Sequence, residues 1–274
     1  AIQAYDRALV IDQNYVAAWN HKGNALYQLK RYEEAIQAYD EALAIDQNYV
    51  AAWTNKGLTL CILKRYEEAI QAYDGALAID QNHALAWNNN GLALYNLERY
   101  EEANLAYDRV LAMDQNDANA WNSKGNALMN LKRDEEAIRA FDRALAIDPN
   151  EAMAWNNKGN ALRDLKRYEE AIHAYDRALA IDKHDAARWY NKGLALHDLN
   201  RYEEAIQAFD RALVIDQHSP AAWRMKGLAL RNLKRYREAI QAYEQLLAIE
   251  ENDAIAWSDK GDALSNLERY EEAI

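Results

Sequence analysis

Residues Ala17–Ala35 read AAWNHKGNALYQLKRYEEA, and the rest of the chain is this stretch again and again. Trp19 returns as Trp53, Trp87, Trp121, Trp155, Trp189, Trp223 and Trp257, each 34 residues after the last. Four residues after each tryptophan stands a glycine: Gly23, Gly57, Gly91, Gly125, Gly159, Gly193, Gly227 and Gly261. Gly75 is the one glycine outside this series. A fixed period of this size means small units stacked in an array.

Counted from Val16 as position 1, full units occupy 16–49, 50–83, 84–117, 118–151, 152–185, 186–219 and 220–253. Residues 1–15 are the second half of an earlier unit and 254–274 the first part of a later one. Apolar or small residues fall at positions 4, 8, 11 and 14, then at 17, 20, 21, 24, 27, 28 and 30. Both sets have the three-and-four spacing of an amphipathic helix. One unit is therefore two helices, A and B, broken near positions 15–16. The fold class is all-α, one elongated domain of stacked helix pairs without an internal boundary.

The first break reads LKRYEEA at Leu29–Ala35 and LERYEEA at Leu97–Ala103, basic before and acidic after, as the helix dipole favours. The second reads DQN, DPN or DKH. Asn48, Asn82, Asn116 and Asn150 there suit a turn and a cap for the next helix A. Mid-helix glycine costs about 1 kcal/mol against alanine, so its recurrence needs a reason. Small residues such as Ala35 and Ala42, beside rings such as Trp19 and Tyr39, predict close interdigitation of core helices. Lys22, Lys56, Lys124, Lys158, Lys192, Lys226 and Lys260 precede their glycines near the apolar stripe. An unpaired buried ammonium is costly, so their heads are expected to meet the helix B acids of the Asp40, Asp74, Asp108 series.

W-x3-G-x2-L followed by A-x3-Y/F-x2-A resembles the tetratricopeptide repeat over the entire chain. Two positions depart from that pattern: glutamine (Gln47, Gln81, Gln115, Gln217) stands where a turn proline is usual, and lysine precedes the glycine where an aliphatic residue is usual. The resemblance implies a right-handed superhelix whose concave groove is lined by helices A and holds peptides.

A net charge of −12 disfavours a phosphate backbone, and no nucleic-acid partner is expected. No apolar run approaches the ~20 residues of a membrane helix, so no membrane partner is expected either. One cysteine, Cys61, fits a reducing compartment, and a cytoplasmic location is expected. No cofactor is expected, because no glycine loop for phosphate exists. Glu33 and Glu34 look like a catalytic pair but recur as Glu67 and Glu68, Glu101 and Glu102, whereas an active site is usually a singular constellation. The chain is read as non-catalytic. Only His184 and His218 share a repeat position, and two turn histidines without cysteines make a poor metal site.

The face of helix A opposite its core holds positions 2, 5, 6, 9, 12 and 13. It is rich in amides: Asn20, Asn24, Asn55, Asn88, Asn89, Asn122, Asn126, Asn156, Asn157, Asn160 and Asn191. Asparagine is a poor helix former. Either copying propagated one polar choice, or each amide offers a donor and an acceptor to a peptide backbone. Between the amides stand Tyr27, Leu58, Cys61, Leu92, Tyr95, Met129, Tyr190, Leu194 and Leu228, suited to ligand side chains. Arg163, Arg224 and Arg231 would favour acidic residues toward one end. By resemblance, position 6 matches the asparagine ladder of the O-GlcNAc transferase repeats at Asn55, Asn89, Asn157 and Asn191, and departs from it at His21, Ser123, Met225 and Asp259. The lysines of the dicarboxylate clamp that binds chaperone tails are absent from positions 2 and 5.

The expected function is a scaffold that binds a protein or peptide segment in this groove. A second reading is head-to-tail self-association. Ala1–Leu9 is a helix B without its helix A, and Tyr270–Ile274 a helix B in its first turn. Such ends would place Ile2, Tyr5 and Leu9 of one molecule against Trp257 and Leu264 of the next.

Overall fold

The structure, a computed structural model, describes residues 1–267. Those residues form sixteen α-helices and no strand. Contacts divide the chain into two compact units, Ala1–Ile147 and Asp148–Ile274. The first holds α1 (Ile2–Ile11), α2 (Val16–Gln28), α3 (Tyr32–Ile45), α4 (Val50–Ile62), α5 (Tyr66–Ile79), α6 (Ala84–Asn96), α7 (Tyr100–Met113), α8 (Ala118–Asn130) and α9 (Asp134–Ile147). The second holds α10 (Ala152–Asp164), α11 (Tyr168–Ile181), α12 (Ala186–Asp198), α13 (Tyr202–Ile215), α14 (Pro220–Asn232), α15 (Tyr236–Ile249) and α16 (Ala254–Asn266). Within each unit every helix packs on its chain neighbours, and each helix A also touches the next helix A.

The A-to-B break closes in one recurrent way. Lys30 turns left-handed, and its N–H donates to the Tyr27 carbonyl at 2.8 Å while the Arg31 N–H donates to Leu26 at 3.0 Å. This Schellman pairing satisfies carbonyls that the helix end would orphan. Lys64, Glu98, Lys132, Lys166, Asn200 and Lys234 repeat it, all with φ of 58–61°. The arginine before each helix B from α3 to α15 guards its start, as Arg31 does by gripping Glu34 through two bonds of 2.7 and 2.6 Å.

The B-to-A break differs from expectation in its agent. The Asp46 carboxylate accepts the backbone N–H of Asn48 at 2.9 Å, and Asp12, Asp80, Asp114, Asp148, Asp182 and Asp216 do the same two residues on. Asn48, Asn82, Asn116 and Asn150 thus lie in the turn but do not cap helix A. The N-cap positions fall one residue later, at Tyr49, His83, Asp117 and Glu151.

The glycines stand against rings. A Cβ added at Gly57 would lie 2.5 Å from Cε1 of Tyr73, and one at Gly125 2.5 Å from Cε1 of Phe141. Tyr39, Tyr73, Tyr107, Tyr175 and Tyr243 are almost wholly buried, with Ala35, Ala42 and their copies at no more than 2% exposure around them. Small against large lets the A and B axes approach closely enough to exclude water between them.

The tryptophans take a mixed position, not the full burial of a core residue. Seven of the indoles are half-buried, and Trp257 is 51% exposed. Each Nε1–H donates to the carbonyl six residues earlier: Trp53 to Gln47 at 2.9 Å, Trp87 to Gln81 at 2.9 Å, Trp155 to Pro149 at 3.0 Å. Glutamine serves where proline is usual, because only the carbonyl is used.

The lysines pair as their wheel angle predicts. Lys22 meets Asp6 at 2.8 Å, Lys56 meets Asp40 at 2.6 Å, and Lys192 and Lys226 meet Asp176 and Asp210 at 2.6 Å. Lys124 pairs with Asp108 and Lys260 with Glu244. The same ammoniums lie 4.9–5.6 Å from the centroid of the tryptophan three residues before them.

Candidate functional site

The candidate face runs along α2, α4, α6 and α8 in the first unit and along α10, α12, α14 and α16 in the second. It is less open than the helix wheel suggests. Asn20 is 3% and Asn122 7% exposed, because position 5 sits where adjacent A helices meet. The Asn55 side-chain amide donates to Oδ1 of Asn20 at 3.0 Å, and that of Asn191 to Oδ1 of Asn156 at 3.2 Å. Here the asparagine row hydrogen-bonds to itself, position 6 of one repeat to position 5 of the repeat before. Asn156 also donates to Asn157 at 3.4 Å.

Position 9 is likewise engaged. The buried hydroxyls of Tyr39 and Tyr175 donate to Asn24 and Asn160 at 2.8 Å. Burial pushes the Tyr39 phenol up to about 12, so it stays a donor. Asn122, Asn126 and Asn157 are not free either. Asn88 and Asn89 differ. Both are half-buried, Thr54 stands where Asn89 would find its ladder partner, and neither amide is hydrogen-bonded to any described residue.

Around those two amides the face is apolar. Leu58 is 38%, Leu92 49% and Leu85 56% exposed. Tyr27 and Tyr95 lean edge-on against Tyr32 and Tyr100, at centroid distances of 5.6 and 5.3 Å, and the Tyr95 hydroxyl accepts from Asn130 at 2.9 Å. Cys61 lies 3.6 Å from the Tyr73 hydroxyl, and burial pushes its thiol above the ordinary value. Met129 is half-buried.

In the second unit the face has a different character. Tyr190 packs on Phe209 with centroids 5.9 Å apart, and Leu194 and Leu228 are half-buried. Arg224 is bonded to Asp253, and Arg231 to Asp259 at 2.8 Å and Asp262 at 3.4 Å. The expected preference for acidic ligands therefore loses two of its three arginines to carboxylates of the chain itself. Arg163, half-buried, has no carboxylate in ion-pair reach among the described residues. His197 bonds Asn232 at 3.2 Å and leans on Tyr202, and burial lowers its pKa.

The end-to-end residues are divided. Leu9 and Leu264 are 6% and 3% exposed, buried within their own units. Ile2 packs on the cluster around Leu26 and Tyr5 stacks on His21, leaving Trp257 open. Tyr270–Ile274 lies outside the described residues. Among those described, no three metal-ligating side chains stand together, and no helix is long and apolar enough to cross a membrane. The backbone N–H groups of His184 and His218 donate to the carboxylates of Asp182 and Asp216.

Family models match along the array: the tetratricopeptide repeat at 16–49, 38–71, 88–152, 148–186, 156–222 and 220–253, and the TPR repeat at 57–98. No curated protein matches the sequence. Among solved structures, YrrB, described as a TPR protein with an unusual peptide-binding site, is 25% identical. The match covers 72% of this chain and 98% of YrrB, with a TM-score of 0.61. A tetratricopeptide repeat protein from Parabacteroides merdae is 13% identical over 92% of this chain and 99% of its own, at a TM-score of 0.69. MamA is 24% identical over 62% of this chain and 93% of its own, at 0.58. The last two likenesses show the fold alone. With repeat models matching from residue 16 to residue 253 and a helix pair standing in every matched unit, the chain belongs to the tetratricopeptide repeat family, an all-α solenoid of its repeats.

Proposed function

We propose that the chain is a non-catalytic, cytoplasmic protein-interaction scaffold that needs no cofactor and holds an extended peptide segment of a partner on the helix A face of its first unit. The observation that carries this reading is the pair Asn88 and Asn89, whose amides are half-exposed and without a hydrogen bond to any described residue. Each offers a donor and an acceptor to a peptide main chain, between Leu58, Leu85 and Leu92, which offer apolar contact to its side chains. The likeness to YrrB supports a peptide as the class of ligand. The amides bonded to one another, Asn20 with Asn55 and Asn156 with Asn191, shape the face and offer less to a ligand.

Display selection of random peptides on the full chain tests the proposal. A net hydrogen bond contributes about 0.5–1.5 kcal/mol. Losing the contacts of both amides in N88L/N89L should therefore weaken the selected peptides about tenfold. Peptides that bind parent and double variant equally would remove the asparagine face as the site.

A further inference from the structure

Seven of the eight tryptophans carry a lysine ammonium over the ring, and in six repeats that ammonium is seen bonded to a helix B carboxylate as well. Trp87 is the exception. Where the lysine would stand the chain has Asn90, which is 3% exposed and donates to the Asp74 carboxylate at 3.0 Å. Asparagine carries no charge and is too short to cover the indole. Asp74 is an exposed carboxylate with no cation in ion-pair reach among the described residues. A cleft of about 510 Å³ opens here, with Trp87, Asp74 and Asn90 on its wall.

The other repeats show what this cleft is shaped to hold. Over Trp19 and Trp53 an ammonium lies 4.9 and 5.6 Å from the ring centroid and within 2.8 and 2.6 Å of its acid, on an unbranched stem. The matching cleft of the 220–253 repeat has nearly the same volume, about 530 Å³, with Lys226 on its wall beside Asp210, so what the Trp87 cleft lacks is the cation and not the space. Two arginines border the Trp87 cleft: Arg99 is held by both oxygens of Glu102, as its counterparts are in the lysine-bearing repeats, and Arg109 neither stacks on the ring nor reaches Asp74. We propose that the cleft between Trp87 and Asp74 takes up a lysine side chain of a partner protein, which completes in trans the site that the other repeats complete in cis. The indole face and the carboxylate both attract an ammonium, and the chain's net charge of −12 steers a basic segment toward it. Leu105 argues for a polypeptide and against a free amine. It is 62% exposed at the rim, where Gln37 and Gln71 stand in earlier repeats, and a residue flanking the lysine would cover it.

The test is NMR titration of the full chain, reading the indole N–H signal of Trp87, assigned with W87F. The probes are Ac-Ala-Leu-Lys-Leu-Ala-NH2, the same peptide with norleucine for lysine, and butylammonium. The lysine peptide should shift the Trp87 signal saturably and leave the other indoles nearly still. Norleucine should abolish the effect, and butylammonium should bind about tenfold more weakly for lack of the Leu105 contact. N90K, which places in this repeat the lysine that the others tolerate, should remove the response. D74N should weaken it about tenfold, and L105Q should reduce the peptide to the level of butylammonium. A norleucine peptide that binds as well, an N90K variant that responds like the parent, or equal shifts at every indole would overturn the proposal. Butylammonium binding as tightly as the peptide would overturn it too, since the ligand would then be a small amine.

Discussion

Gly57 lies so close to the ring of Tyr73 that a methyl group on it would stand 2.5 Å from Cε1, well inside van der Waals contact. Helix propensity alone favours alanine there by about 1 kcal/mol. Tyr73 is wholly buried and has no space to retreat, and overpacking of this kind costs about 1–3 kcal/mol. Gly57→Ala is therefore expected to lower stability by up to about 2 kcal/mol, read as a lower urea midpoint. A raised midpoint would mean that the ring yields and that propensity decides.

The left-handed turn residue predicts the opposite sign. Lys64 sits at φ 59°, a region that costs an L-residue roughly 1–2 kcal/mol. Glycine removes that strain but adds freedom to the unfolded chain. Lys64→Gly should raise the thermal midpoint slightly, by the equivalent of about 0.5 kcal/mol. Lys64→Val, branched at Cβ, should lower it. Thermal scans of both variants settle the order.

The Lys56–Asp40–Trp53 cluster is half-exposed, so its worth is modest. A double-mutant cycle with K56M and D40N should return a coupling of about 0.5–1 kcal/mol that shrinks in high salt. A coupling near zero would leave the lysine stem's packing as its main role.

Acid should weaken the second unit in two stages. His197 has its pKa lowered by burial, so its neutral form is favoured when folded. That contribution is complete above the ordinary histidine value of about 6.5 and is lost as pH falls through the lower folded value. Asp253 is held below its ordinary range first by the Ala256 N–H, with Arg224 adding to it. Its contribution is complete above about pH 4 and disappears at still lower pH. Urea midpoints at pH 7, 5 and 3 check both stages. H197Q should flatten the first step and D253N the second.

The period makes the helix pairs, the glycine–ring contacts and the lysine–aspartate pairs legible in the sequence, because each depends on spacing within a repeat or on wheel angle alone. The groove was read less well. A wheel tells which way Asn20 and Asn55 point but not that neighbouring A helices bring them together, and the 35-residue offset of that bond was the signal to look for. Asp253 and Asp259 were likewise invisible as partners of Arg224 and Arg231, since those pairs occur once and follow no period. The Schellman turns carry lysine where glycine would have announced them.

Most bonds in the array recur at fixed separations: six residues for the indole, sixteen for lysine and acid, three for arginine and glutamate. Duplicating or deleting a 34-residue segment would recreate every one of them, so those repeats are interchangeable modules whose number can drift without loss of cohesion. Arg231, bonded to Asp259 and Asp262 of the following repeat, breaks that symmetry. Inserting a unit between residues 253 and 254 would part Arg231 from both acids, so these two repeats are locked as neighbours in a fixed order.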